Sequence, residues 1–187
     1  MSPVVQQRPL TISAMNAGID ECSTILIRPY QPGDEAACRA CVVELQDAER
    51  GFDPRLRPGE SMADEYLAQM HVHCRDLAGA IFVAERGGEI VGLVMVVARV
   101  PFEALDEPPG DYALVAELVV RAGARRMGIA RALLDRAERH ARDAGAAELR
   151  IIVLSANLPA RTLYAREGFV PYKETLSKPL ERASSSA

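Results

Sequence analysis

A basic, glycine-bearing turn joins an apolar run to an amphipathic one: Leu118-Val119-Val120-Arg121-Ala122-Gly123-Ala124-Arg125-Arg126-Met127-Gly128-Ile129-Ala130-Arg131. A strand that runs into such a turn and then opens a helix builds an anion site. The first helical turn leaves backbone N–H groups unpaired and carries the positive end of the helix dipole. Gly128 removes a side chain where an anion must approach the backbone, and Ala130 keeps the next position small. Arg125, Arg126 and Arg131 add charge that suits a pyrophosphate. The pattern is Arg-x-x-Gly-x-Ala, which is neither G-x-x-x-x-G-K-[ST] nor G-x-G-x-x-G, so a P-loop is excluded and a dinucleotide fingerprint is lacking. A basic turn that only caps a helix would have the same composition.

Two further residues carry chemistry. Glu117 lies inside the run Ala113-Leu114-Val115-Ala116-Glu117-Leu118-Val119-Val120, where a carboxylate is costly unless it faces a wet cleft or pairs with an arginine. Tyr164 lies in Asn157-Leu158-Pro159-Ala160-Arg161-Thr162-Leu163-Tyr164-Ala165-Arg166-Glu167-Gly168-Phe169. There Asn157 suits a helix N-cap or a hydrogen bond to a ligand amide, Pro159 suits the first turn, and Gly168 stops the helix. Taken alone, Tyr164 reads as a packing residue with its hydroxyl at the surface.

The elements that must hold these residues follow from periodicity and breakers. A strand is expected over 24–28, with Asp34 as N-cap of a helix over 35–49. A loop follows, then a helix over 61–77 with Ser61 and Asp64 as a capping pair. Strands over 80–85 and 89–100 flank the Arg86-Gly87-Gly88 turn, and a Pro-rich acidic loop leads to a strand over 112–121. Beyond the basic loop come a helix over 129–144, a strand over 148–154 and a short helix over 159–167. Two last strands are expected over 169–172 and 173–180. Helices between strands make the chain mixed α/β, with the 112–154 unit a βαβ crossover whose two strands are parallel. Residues 1–23 read as a flexible or loosely docked arm, 24–180 as one domain, and 181–187 as a disordered tail.

Composition narrows the function class. The chain has 187 residues, 49% of them hydrophobic and 26% charged, which suits one globular domain with a real core. The net charge of −4 argues against a nucleic-acid partner. No apolar run reaches the length of a bilayer span, and the first residues lack the pattern of a signal peptide. A cytoplasmic protein with no membrane partner is expected. Cys38 and Cys41 form C-x-x-C, but nothing completes a zinc site, so no metal is expected and the pair reads as two small apolar residues one helical turn apart.

The two motifs together resemble those of the GNAT superfamily, the Gcn5-related N-acetyltransferases. The basic loop resembles motif A, [Q/R]-x-x-G-x-[G/A], and 157–169 resembles motif B, N-x-x-A-x-x-L-Y-x-x-x-G-F, at every fixed position. The resemblance follows element order over 24–180, with its specific residues confined to 117–169. It implies the GNAT-type sheet, mixed and mostly antiparallel, with a central parallel βαβ unit and flanking helices. It implies an enzyme that moves an acetyl group from acetyl-CoA to a primary amine of a small molecule or peptide by direct attack. The alternative is a non-catalytic acyl-CoA-binding domain of the same fold, serving regulation.

Carried over, the resemblance assigns the coenzyme A pyrophosphate to Arg125, Arg126, Gly128, Ile129, Ala130 and Arg131. It assigns pantetheine to the backbone of Leu118, Val119 and Val120, with Asn157, Ala160 and Tyr164 also on the cofactor. It makes the Val119 N–H the oxyanion donor, Tyr164 the donor to the leaving thiolate and Glu117 a general base. The amine site is expected between the two early helices and the acidic 100–111 loop. A homodimer is expected from open strands near 173–180.

Overall fold

The computed structural model describes residues 10–12, 24–101, 110–178 and 180. Ten helices and strands are used below: β1 (Leu10–Ile12), β2 (Ile25–Pro29), α1 (Glu35–Arg50), α2 (Ala63–Asp76), β3 (Ala80–Arg86), β4 (Glu89–Pro101), β5 (Asp111–Val120), α3 (Ile129–Asp143), β6 (Leu149–Ile151) and α4 (Leu158–Arg166). The strands form one sheet in the order β1-β2-β3-β4-β5-β6. Every neighbouring pair is antiparallel except β5–β6, which is parallel across α3. The fold is therefore the mixed α/β arrangement that the sequence implies.

Strand alternation sends side chains to two separate cores. On one face Ile25, Ile27, Phe82, Ala84, Val94, Val96 and Val115 pack against Ile129, Leu133, Leu134 and Ala137 of α3. On the other, Ile81, Val83, Leu93, Met95, Val97 and Val119 pack against Cys38, Cys41 and Val42 of α1 and Leu67 and Met70 of α2. Cys38 and Cys41 are 1% and 0% exposed, and both are free thiols. Burial pushes their pKa values up to about 12 and about 11, so they behave as packing residues.

Several local expectations are revised. Asp34 does not cap α1 with its side chain; its buried carboxylate accepts from the Gln31 N–H at 2.8 Å and from two Arg28 nitrogens at 2.7 and 2.8 Å. Ser61 and Asp64 make no capping pair. Ser61 Oγ donates to the Pro58 carbonyl, while Asp64 accepts from Arg39. No strand forms over the described residues between 169 and 180, and the sheet ends at β6. The apolar runs there satisfy strand propensity, but no ladder receives them. Of the 1–23 arm, Leu10–Ile12 pair with Ile25, Leu26 and Ile27; the rest of it, and residues 179 and 181–187, lie outside the described residues. No helix among the described residues is long and apolar enough to cross a membrane.

Candidate active site

The site begins at an irregularity in β5. Met95 pairs with Glu117 and Val96 pairs with Val115, so Ala116 is an extra residue, a β-bulge. Its effect is visible in the side chains. Before the bulge Leu114 joins the α1/α2 core and Val115 the α3 core. After it the parity reverses: Leu118 and Val120 pack on the α3 side, and Val119 packs on the α1/α2 side. A regular strand would place Glu117 on the same face as Val115. The bulge turns it to the opposite face, where the Tyr66 hydroxyl on α2 donates to Glu117 Oε1.

The bulge also ends the parallel pairing. Ala113, Leu114 and Val115 pair with Leu149, Arg150 and Ile151, and there the β5–β6 ladder stops. Residues 117–120 keep β4 on one side and have no strand on the other among the described residues. Residues 152–154, read from sequence as strand, diverge instead. Between the parted segments lies a cavity of about 300 Å³. Ala116 and Glu117 form one wall and 152–154 the opposite one. Val42, Leu45, Gln46 and Glu49 of α1 and Tyr66 of α2 complete it.

Burial drives the Glu117 carboxyl up to about 7; Tyr66 opposes that shift by donating to the carboxylate, and the nearby charge of Glu49 adds to it. A carboxyl poised near neutrality can accept a proton at physiological pH. Burial also raises the Glu49 carboxyl. The Tyr164 phenol is pushed up to about 12, by burial first and then by Glu49 and Glu117, so it stays protonated within electrostatic reach of both acids. Its ring packs edge-on against Phe169 at a centroid distance of 5.9 Å.

At the far end of the open edge, 121–128 turn into α3. Gly128 is the N-cap with φ 79°, in the left-handed region that glycine tolerates best. No side chain caps the helix and no acid lies in its first turn. A Cβ at Gly128 would meet no heavy atom of the described residues within 4 Å, so the space beside the helix start is open at that point. The arginines are not equivalent. Arg125 is tied back, with Nε donating to the Val120 carbonyl at 3.1 Å and Nη2 3.4 Å from Glu44. Glu44 also accepts the Ala122 N–H at 2.6 Å and so braces the loop against α1. Arg131 lies 3.6 Å from Glu167, and the Arg126 side chain is exposed.

In α4, Asn157 caps the helix, its Oδ1 accepting the Ala160 N–H at 3.2 Å. This uses the Ala160 amide within the protein. Of the residues read from sequence, Glu117 lines the cavity and Tyr164 shares its electrostatic environment. Leu118, Val119 and Val120 lie on the open edge, and Gly128, Ile129, Ala130 and Arg131 at the helix start. Glu103, Asp106 and Glu107 lie outside the described residues. Tyr66 and Glu49, which also line the cavity, belong to no motif in the sequence. Nothing in local sequence points Tyr66 at a strand residue 51 positions away.

The model of the Acetyltransferase (GNAT) family matches residues 42–169. A GCN5-related N-acetyltransferase from Ralstonia eutropha JMP134 superposes with a TM-score of 0.63 at 23% identity, covering 83% of this chain and 98% of that one. Aminoglycoside N-acetyltransferase AAC(6')-Iy in complex with CoA gives 0.60 at 15% identity, over 83% of this chain and 99% of that one. A Bacillus halodurans protein described as a transcriptional regulator gives 0.65 at 21%, again over 83% and 99%. The sequence matches none of the curated proteins it was compared with. Family match, motif positions and sheet topology agree: the chain belongs to the acetyltransferase (GNAT) family.

Proposed function

We propose that this protein transfers an acetyl group from acetyl-CoA to a primary amine of a small molecule or peptide by direct attack. The observation that carries the reading is the one-sided edge of 117–120, which runs from a carboxyl poised near neutrality to an uncapped helix N-terminus. The residues present fit the co-substrate. The Ile129, Ala130 and Arg131 amides would hold the pyrophosphate, with Arg126 and Arg131 adding charge. The backbone of Leu118, Val119 and Val120 would hold pantetheine as an added strand would be held, and Asn157 and Ala160 would border the thiol end. Arg125 serves more as a brace of the loop than as a free phosphate ligand, because Val120 and Glu44 engage it.

Acetyl-CoA supplies an activated thioester carbonyl. An alkylammonium is not nucleophilic, so the acceptor must first lose a proton, and Glu117 takes it directly or through water. The free amine adds to the carbonyl carbon, forming the C–N bond, and the Val119 N–H steadies the oxyanion. Collapse breaks the C–S bond and the electron pair leaves on sulfur. Tyr164 steadies that thiolate by a hydrogen bond. Outright proton transfer from a phenol at about 12 to an alkylthiolate would run uphill, so the lasting proton comes from solvent or from the nitrogen.

The regulatory alternative would keep the CoA cleft and have no need of a poised carboxyl. The likeness to the Bacillus halodurans protein favours that alternative; the setting of Glu117 favours catalysis. A screen of amines with acetyl-CoA, followed by thiol release, decides between them. Amine-dependent release is expected, and CoA binding with no release for any amine would support regulation. The free thiols of Cys38, Cys41 and Cys74 suit a reducing cytoplasm. A homodimer is also proposed, because Ile152, Val170, Leu176 and Leu180, which follow β6 in the chain, are each more than 80% exposed. Sedimentation should give a dimer, and pure monomer at high micromolar concentration would contradict it.

A further inference from the structure

The cavity beside Glu117 restricts which amines can enter, an inference that rests on the transfer reading above. Among the described residues its walls carry two carboxylates, Glu49 and Glu117, and no lysine, arginine or histidine. Neighbouring acids are already matched. Glu44 holds the Ala122 N–H and lies near Arg121 and Arg125, Asp47 accepts the Gly59 N–H, and Asp53 pairs with Arg55. Nearby cations among the described residues are paired elsewhere or do not line the cavity. Arg55 is held by Asp53, and Arg57 by the Ser61 carbonyl and Glu65. Arg50, next to Glu49 in sequence, has its Nε buried away from any partner.

Glu49 differs from these acids. It lines the cavity, burial raises its carboxyl, and among the described residues it makes no ion pair and no side-chain hydrogen bond. Withdrawing a carboxylate from water without a counter-charge is unfavourable, and a bound cation relieves that cost. Glu117 is differently placed, since Tyr66 already donates to it and it has the reacting nitrogen to serve. Between the acids, Val42, Leu45 and Leu154 offer apolar surface. The volume of about 300 Å³ admits a short chain and lies at the small end of ligand pockets.

We propose that the acceptor is a short, carboxylate-free aliphatic amine with a second cationic group, the reacting nitrogen at Glu117 and the second cation at Glu49. The apolar walls cover the methylenes between them. An acceptor bearing its own carboxylate would set a third negative charge against two, with no cation among the described lining residues to offset it. Free amino acids and acidic peptides are therefore disfavoured, although their amino groups are chemically competent.

Three probes of equal chain length isolate the far group: 1,4-diaminobutane, 1-aminobutane and 4-aminobutyrate. With acetyl-CoA and thiol release as the readout, kcat/KM should be highest for the diamine, roughly 10-fold or more lower for the monoamine, and lowest for the amino acid. In Glu49→Gln the diamine-to-monoamine ratio should collapse toward one. Calorimetric titration of 1,4-diaminobutane into the CoA-loaded protein should show binding that Glu49→Gln weakens by roughly 10–100-fold. Equal or better use of 4-aminobutyrate, or an undiminished diamine preference in Glu49→Gln, would overturn the proposal. If no amine releases thiol, the transfer reading fails. The titration then still decides the role of Glu49: weakened diamine binding in the variant supports it, and absent or unaltered binding overturns it.

Discussion

The two halves of β5 share one ladder with β4 and differ on their other edge. Ala113, Leu114 and Val115 are closed in by β6, with their backbone groups in the sheet. Residues 117–120, past the Ala116 bulge, have β4 on one side only. The closed half contributes packing: Ala113 and Val115 are buried. The open half carries the poised carboxyl and leads to the uncapped helix. One inserted residue separates these roles, because it both stops the pairing and reverses which face each later side chain meets. On the proposed reading, a site is made within a continuous strand by leaving its hydrogen bonding incomplete where a substrate completes it.

Glu117→Gln breaks the chemistry of the open half most severely. The amide cannot take a proton, so kcat/KM should fall by roughly 10²–10⁴-fold. In wild type the rate should rise with pH through about 7, since only the ionised carboxylate is a base. The variant should lose that limb, and a pH–rate profile in which the limb survives would place the base elsewhere. Tyr164→Phe comes next, with kcat lowered roughly 10–1000-fold and acetyl-CoA affinity nearly unchanged, because a hydrogen bond to the departing thiolate acts in the transition state. Steady-state kinetics beside CoA titration separates the two, and a kcat within twofold of wild type would leave Tyr164 as a packing residue.

A smaller effect concerns stability and sharpens the contrast with the closed half. The folded pKa of Glu117, about 7, stands above the ordinary 4.5. Between those values the folded state holds a proton that the unfolded state has released, so stability falls as pH rises through the window and levels off above it. Glu117→Gln removes that loss. It should stabilise the protein at pH 8 by roughly 1–3 kcal/mol and by little near pH 4, at about 1.4 kcal/mol per pKa unit. Urea unfolding at several pH values measures this. An unchanged pH dependence would mean that the carboxyl is not poised as described. Greater stability with less activity is the expected trade at such a site.

Much of this was legible in the sequence because it is local. The strand, basic loop and helix that end at Gly145, and the Asn157 cap with Pro159 and Gly168, each declare themselves within a few residues. Asp34 stands at the N-cap of α1 as expected, yet its side chain, like that of Ser61, serves another partner, because capping residue types also bind elsewhere, here Arg28 and the Pro58 carbonyl. Residues 152–154 and 169–178 read as strands because apolar runs record propensity, whereas a ladder needs a neighbour. The Ala116 bulge left no trace in composition. Tyr66 and Glu49 acquire meaning only when α1 and α2 are laid over β5.

We propose that the open half of β5 and the start of α3 form one coenzyme A site. Calorimetric titration of CoA into wild type and Gly128→Val tests it most directly, with circular dichroism confirming that the variant is folded. Valine would put a branched side chain at a left-handed φ and into the open space beside the start of α3. Clear binding to wild type is expected, with an affinity at least roughly 10-fold weaker in the variant, since close approach to the α3 amides is what the anion site requires. Equal affinity in a folded Gly128→Val protein would contradict it.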